Sequence, residues 1–117
     1  MKILVTGGAG YIGSVVVEAL IARGEEVTIL DNLSQGHRAA VHPAARFVQG
    51  DLADPATARA ALADDGGRAF DAVMHFAAYA YVGESVAEPG RYYHNNVLGS
   101  LTLLEALRDA GVGKFVF

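Results

Sequence analysis

The sequence predicts an α/β fold built on a doubly wound parallel sheet, and three observations carry that prediction. Short β-branched runs alternate with longer segments of helical period, glycine and proline mark the junctions, and the first apolar run feeds directly into a glycine loop, VTGGAGYIGS at 5–14. Strands that alternate with helices imply right-handed crossovers and a parallel sheet covered by helices on both faces. The expected strand order is 3-2-1-4-5, with the fifth strand cut short at the end of the chain.

Each element follows from its own pattern. Lys2 to Thr6 reads as the first strand, continuous and apolar as a strand covered on both faces should be. Residues 11 to 23 place Ile12, Val15, Val16, Ala19, Leu20 and Ala22 on a broad apolar stripe, and Gly24 stands where a left-handed helix cap is needed. Val27 to Leu30 is the second strand, Phe47–Val48 the third, Ala72 to Phe76 the fourth and Lys114 to Phe117 the beginning of the fifth. Between them lie an irregular polar connection from Asn32 to Arg46, a helix opened by Pro55 and closed near Gly66–Gly67, and a long helix from about Pro89 to Ala110 capped by Gly111.

Composition narrows the function classes. The 117 residues are 52% hydrophobic and 19% charged with a formal net charge of −4, which suits a single globular domain. The nine Lys and Arg are scattered and form no basic run, so neither nucleic acid nor an anionic membrane is indicated. There is no cysteine, which excludes disulfides and thiolate metal sites and suits a reducing compartment. MKILVTGG is too short an apolar stretch for a signal peptide or a membrane span, so a cytoplasmic location is the default. His75 and His94 share no metal-binding pattern with a second ligand, and no metal is expected.

The glycine loop carries the chemistry. Gly7 would allow the tight turn out of the first strand, Gly10 would leave room for a pyrophosphate to approach the backbone, and Gly13 would let the helix pack closely on the sheet. The helix N-terminus supplies unpaired N–H groups and the positive end of the dipole, so a diphosphate is its natural guest. The spacing is G-x-x-G-x-x-G, and a glycine-rich turn without a ligand would read the same way. Asp31, eighteen positions after Gly13, stands where a carboxylate would accept from adenosine ribose hydroxyls, or else where it would form an ordinary turn or cap. Asp51 could accept from the adenine amine or be a turn residue. Phe76-Ala77-Ala78 lies at a strand's carboxyl end, the edge where such sheets bind ligands, or is simply a packed strand end. Asn95 and Asn96 either satisfy a loop backbone or contact a ligand. Tyr79, Tyr81, Tyr92 and Tyr93 are aromatic packing residues or sugar-stacking ones.

TGGAGYIGS, DNLSQGH at 31–37, GDLAD at 50–54, HFAAYAYVGESV at 75–86 and YYHNNVLGSLTLLEA at 92–106 together resemble the extended short-chain dehydrogenase/reductase superfamily. Within it they are most similar to the UDP-galactose (UDP-glucose) 4-epimerases, across essentially the whole chain. The resemblance implies a Rossmann-type domain that binds NAD. It implies that Gly7, Gly10, Tyr11 and Ile12, with Gly13, hold the pyrophosphate and that Asp31 and Asn32 hold the adenosine ribose. It also implies that Asp51 and Leu52 flank the adenine, that Phe76, Ala77 and Ala78 line the nicotinamide-side ribose, and that Asn95 reaches the loop after strand four. Some epimerases carry a Lys in that loop where this chain has Ala80, so that contact is not transferred. AYVGES with YYHN is also similar to UDP-arabinose (UDP-xylose) 4-epimerases.

The resemblance further implies a reaction on a UDP-sugar, inversion at C4 through a 4-keto intermediate, by an enzyme expected to be a homodimer. Its acid/base groups would be a Ser or Thr just beyond strand five and a Tyr-x-x-x-Lys pair, the Lys lowering the Tyr pKa. The only lysines here are Lys2 and Lys114, and neither stands four residues after a Tyr. The chain therefore reads as an incomplete NAD-binding domain, residues 1–117, without the substrate domain, with no catalytic residue of its own and an uncovered KFVF edge prone to self-association. A related nucleotide-sugar dehydratase or reductase, and a non-catalytic dinucleotide-binding module, remain open as alternatives.

Overall fold

A computed structural model describes residues 1–63 and 69–117. Five parallel strands, β1 (Lys2–Thr6), β2 (Glu26–Asp31), β3 (Arg46–Gln49), β4 (Ala72–His75) and β5 (Phe115–Val116), form one sheet in the order β3-β2-β1-β4-β5, as the sequence predicts. Among the described residues, six helical pieces connect them: α1 (Tyr11–Ala22), α2 (Pro55–Leu62), α3 (Val82–Ala87), α4 (Pro89–Tyr92), a π-helical segment (Tyr93–Leu98) and α5 (Gly99–Asp109). The irregular connection after β2 contains one 3₁₀ turn, Arg38–Ala40.

β1 is the centre of the sheet, paired on one side with β2 (Val5 opposite Ile29) and on the other with β4 (Val5 opposite Met74). Side chains alternate across it. Ile3 and Val5 join Val27, Ile29 and Val17 of α1 on one face, whereas Leu4 joins Leu30, Val73, Leu103 and Leu107 of α5 on the other, with Leu52 and Phe70 closing that cluster. A strand buried on both faces has no polar side, which is why β1 reads as an unbroken apolar run.

Helix boundaries follow local chemistry. The Asp54 side chain accepts from the Ala56 N–H at 2.9 Å and Pro55 occupies the first turn, which starts α2; its expected end near Gly66–Gly67 lies outside the described residues. α1 and α5 end just before Gly24 and Gly111, both at positive φ, as expected.

Two of the expected helices differ from the sequence expectation, and a third helix, α3, is not among the expected elements. The buried face of α1 is Gly13 and Val17, with Leu20 and Ile21 partly covered, while Ile12 and Val15 of the expected stripe are 62% and 61% exposed. This helix is apolar nearly all round, so its period does not single out one face. The expected long helix from Pro89 is one run in three parts. In its π-helical segment the Gly99 N–H bonds the His94 carbonyl, five residues back, so the wider winding changes which side chains face the sheet.

Candidate functional site

A cavity of about 330 Å³ opens at the carboxyl edge of the sheet, where β2 and β3 lie to one side of β1 and β4 and β5 to the other. This is where chain connections turn in opposite directions and leave a crevice. Its floor is the loop between β1 and α1. The Gly7 N–H extends the sheet by bonding the Leu30 carbonyl at 2.9 Å, and the Gly10 N–H bonds back to the Gly7 carbonyl at 3.0 Å.

The glycines are there because backbone stands where a side chain would be. Gly7 has φ +72°, and a Cβ on it would lie 2.6–2.7 Å from the backbone of Phe76 and Ala77. A Cβ on Gly13 would overlap the Gly7 carbonyl oxygen and lie 2.8 Å from its carbon. Gly13 thus brings α1 against the loop itself. Gly8, in the loop itself, is a further close approach: its Cβ would sit 2.8 Å from the Ile29 side chain. No side chain caps the first turn of α1.

Asp31 locks this floor to the next loop. Its buried carboxylate accepts from the Ala9 N–H at 3.0 Å and from the Leu33 N–H at 2.8 Å, the second bond closing a turn in which Leu33 has φ +60°. The turn role and a ligand role are compatible, because each carboxylate oxygen keeps a further lone pair. Gly36 brings the same loop against Ala9, and the His37 N–H donates to the Ala9 carbonyl at 3.0 Å.

The opposite wall is the loop after β4, fastened by side chains of the helical run that begins at Pro89. The Asn96 amide pairs with both main-chain groups of Tyr79, accepting its N–H at 2.9 Å and donating to its carbonyl at 3.0 Å. The Tyr92 hydroxyl accepts from the Tyr81 N–H at 3.1 Å and lies 2.8 Å from a Glu84 carboxylate oxygen. Desolvation first, then the bond to Glu84, holds this phenol above its ordinary pKa. One turn further on, Ser100 meets His75 at 2.9 Å. Tyr92, Asn96 and Ser100, four apart on one helical face, therefore hold positions 81, 79 and 75 in turn.

The His75 ring is oriented by elimination. The single hydrogen of Ser100 points at the Asn96 carbonyl, 2.6 Å away, so His75 Nε2–H donates to Ser100, and Nδ1 accepts from the Thr6 hydroxyl at 2.6 Å. Burial lowers the pKa of this histidine, in keeping with a neutral ring.

The cavity brings together Gly7, Gly10, Tyr11, Ile12, Gly13, Asp31, Asn32, Leu52, Phe76, Ala77, Ala78 and Asn95, twelve of the thirteen residues singled out from the sequence. Asp51 is not among its lining; one of its carboxylate oxygens accepts from the Ala53 N–H at 2.8 Å, and Gly50 and Leu52 line the cavity instead. Asn95 does line it, but the side chain that reaches the loop after β4 is that of Asn96, whose Oδ1 also accepts from Asn95 Nδ2 at 2.8 Å. The lining also takes in Ser34, Gln35 and Gly36, for which the DNLSQGH stretch was the available signal. Among the described residues no group of three His, Asp or Glu side chains gathers to hold a metal, and no helix is long and apolar enough to cross a membrane.

Residues 3–117 match the profile of the NAD dependent epimerase/dehydratase family. The chain is 52% identical, over its whole length, to the UDP-glucose 4-epimerase of Lactobacillus helveticus, of which it covers 34%. It is 47% identical over 98% of its length to a probable UDP-arabinose 4-epimerase of rice (Oryza sativa subsp. japonica), covering 30% of that protein. Its fold matches the crystal structure of a Thermus thermophilus UDP-glucose 4-epimerase in complex with NAD, with a TM-score of 0.93 and 46% identity over the whole chain and 37% of that structure. The chain thus spans about a third of the length of these relatives.

Proposed function

Because this chain belongs to the NAD dependent epimerase/dehydratase family, we propose that its cavity binds NAD and serves a UDP-sugar 4-epimerase. The observation that carries the reading is the floor of the cavity, where Gly7 and Gly13 leave no room for a Cβ and the uncapped first turn of α1 opens toward the space above. That cradle fits a diphosphate: it is backbone N–H at a helix N-terminus, with no acidic side chain on Gly10, Tyr11, Ile12 or Gly13 to repel it. Gly7, Gly10, Tyr11, Ile12 and Gly13 would hold the pyrophosphate and Asp31 and Asn32 the adenosine ribose. Leu52 would lie against the adenine, with Asp51 as its neighbour. Phe76, Ala77, Ala78 and Asn95 would line the nicotinamide side. The carboxylate of Asp31 disfavours the 2′-phosphate of NADP by charge repulsion.

Bound NAD supplies a hydride acceptor that can return the hydride, which is the redox chemistry an inversion at C4 through a 4-keto sugar requires. This chain's residues orient the dinucleotide and fix the loop facing the sugar through Asn96 and Tyr92. The 117 residues contain no Tyr-x-x-x-Lys pair, so the chain alone is expected to bind NAD without turning over UDP-galactose. A pentose substrate is a second reading, favoured by the rice relative. We place the protein in the cytoplasm and, from the likeness to the epimerases, expect a homodimeric enzyme; the exposed apolar side chain of Val116 in β5, 51% exposed, supports self-association of this chain.

Backbone NMR with and without NAD tests the site. Shifts at Gly7, Gly10–Gly13, Asp31–Asn32 and Ala77–Ala78 are expected. Shifts confined to the opposite side of α1, around Val15, Glu18 and Ala39–Pro43, would overturn the assignment.

A further inference from the structure

We propose that Tyr79 forms a clasp across the mouth of the cavity that sets how fast a dinucleotide enters and leaves; this rests on the NAD reading above. The cavity lies between the loop after β2, which contributes Ser34, Gln35 and Gly36, and the loop after β4, which contributes Ala78 to Tyr81. The Tyr79 hydroxyl crosses from one to the other and meets Ser34 Oγ at 3.1 Å on the solvent side.

Three contacts hold the clasp in place, two of them tied to the same Glu84 carboxylate. Asn96 grips the Tyr79 backbone at both its N–H and its carbonyl. The Arg91 guanidinium lies 4.8 Å from the Tyr79 ring centroid and is itself paired with Glu84. The Tyr92 ring meets the Tyr79 ring edge-on at 5.6 Å, and its hydroxyl bonds the same Glu84. The ring is therefore aimed at Ser34 before any ligand arrives, so closing it costs little side-chain entropy.

A clasp already closed without ligand obstructs entry and exit alike. Removing its tip should raise both rates by the same factor and leave affinity nearly unchanged. One solvent-exposed hydroxyl–hydroxyl bond corresponds to about 2- to 10-fold in those rates.

The test is stopped-flow binding of NADH to this chain, read by nucleotide fluorescence, with release measured by displacement with excess NAD. Tyr79→Phe keeps the ring and its edge contact with Tyr92 but removes the hydroxyl's interaction with Arg91 together with its bond to Ser34, Ser34→Ala removes only the acceptor, and melting temperatures verify that both variants fold. The clasp predicts that each single variant accelerates association and dissociation about equally, that affinity stays within about twofold, and that the double variant is no faster than either single one. Unchanged rates, a loss of affinity through dissociation alone, or additive effects in the double variant would overturn it. Failure of the unaltered chain to bind NADH would overturn the dinucleotide reading and the clasp with it.

Discussion

The two walls of the cavity are built by different means. On the β1–α1 side the geometry is made by main chain: Gly7 and Gly13 are so close to neighbouring backbone that a Cβ does not fit, and Asp31 contributes a carboxylate that grips two backbone N–H groups. On the β4 side the geometry is made by side chains: Tyr92, Asn96 and Ser100 reach across from the helix to hold Tyr81, Tyr79 and His75. Backbone against backbone has no slack, whereas a side-chain bond that is lost can be replaced in part by water. The first wall should therefore fail all at once and the second by degrees.

The largest effect is expected at Gly13. A methyl group there overlaps the Gly7 carbonyl, and neither backbone can yield without moving the whole turn, so Gly13→Ala should cost about 3 kcal/mol of stability, the upper part of the range for overpacking. NAD binding should be lost with it. A thermal melt together with a calorimetric titration measures both, and a variant that binds NAD normally would show that the turn is not rigid.

Asn96→Ala should have an intermediate effect. It removes both bonds to Tyr79, whose main-chain groups are only partly buried and can recruit water, so the loop loosens at a cost of about 1–2 kcal/mol. Roughly tenfold weaker NAD binding with a small fall in melting temperature is the expected split. A loss as complete as that of Gly13→Ala would erase the distinction between the walls.

The smallest effect belongs to His75 and depends on pH. Burial lowers its pKa in the folded chain below the ordinary 6.5, so in acid the unfolded chain takes up this proton first. The histidine's contribution to stability is present above pH 6.5 and is lost as pH falls from there through the lowered folded-state value. The melting temperature should fall between pH 7 and pH 5 more steeply in the unaltered chain than in His75→Gln. Parallel curves would mean that the ring titrates as if it were exposed.

The same contrast explains how much of the molecule was legible in its sequence. The sheet order and the main-chain wall could be read because their determinants are local: an apolar run, glycines at fixed spacing and an acid at the end of the second strand. Asp31 fits either of its sequence readings, and the structure shows that its turn role leaves a lone pair on each oxygen for a ligand. The constraint on Gly8 is not legible in the sequence because it is a contact with Ile29, twenty-one residues away, that no local spacing encodes. The side-chain wall was harder. The Asn95–Asn96 pair stood out, but which amide reaches the loop depends on the winding of the π-helical segment, and an ideal helical period does not supply it. The GDLAD stretch reaches the cavity through Gly50 and Leu52, on either side of Asp51, because the Asp51 carboxylate turns back onto the Ala53 N–H.

Whether the cavity takes NAD at the main-chain wall, with Asp31 facing the adenosine ribose, is tested most directly by parallel calorimetric titrations of this chain with NAD and NADP. The expected result is one NAD site and at least about tenfold weaker NADP, the preference shrinking in Asp31→Asn as the charge that repels the 2′-phosphate is removed. A folded chain that binds neither nucleotide, or both equally, would contradict it.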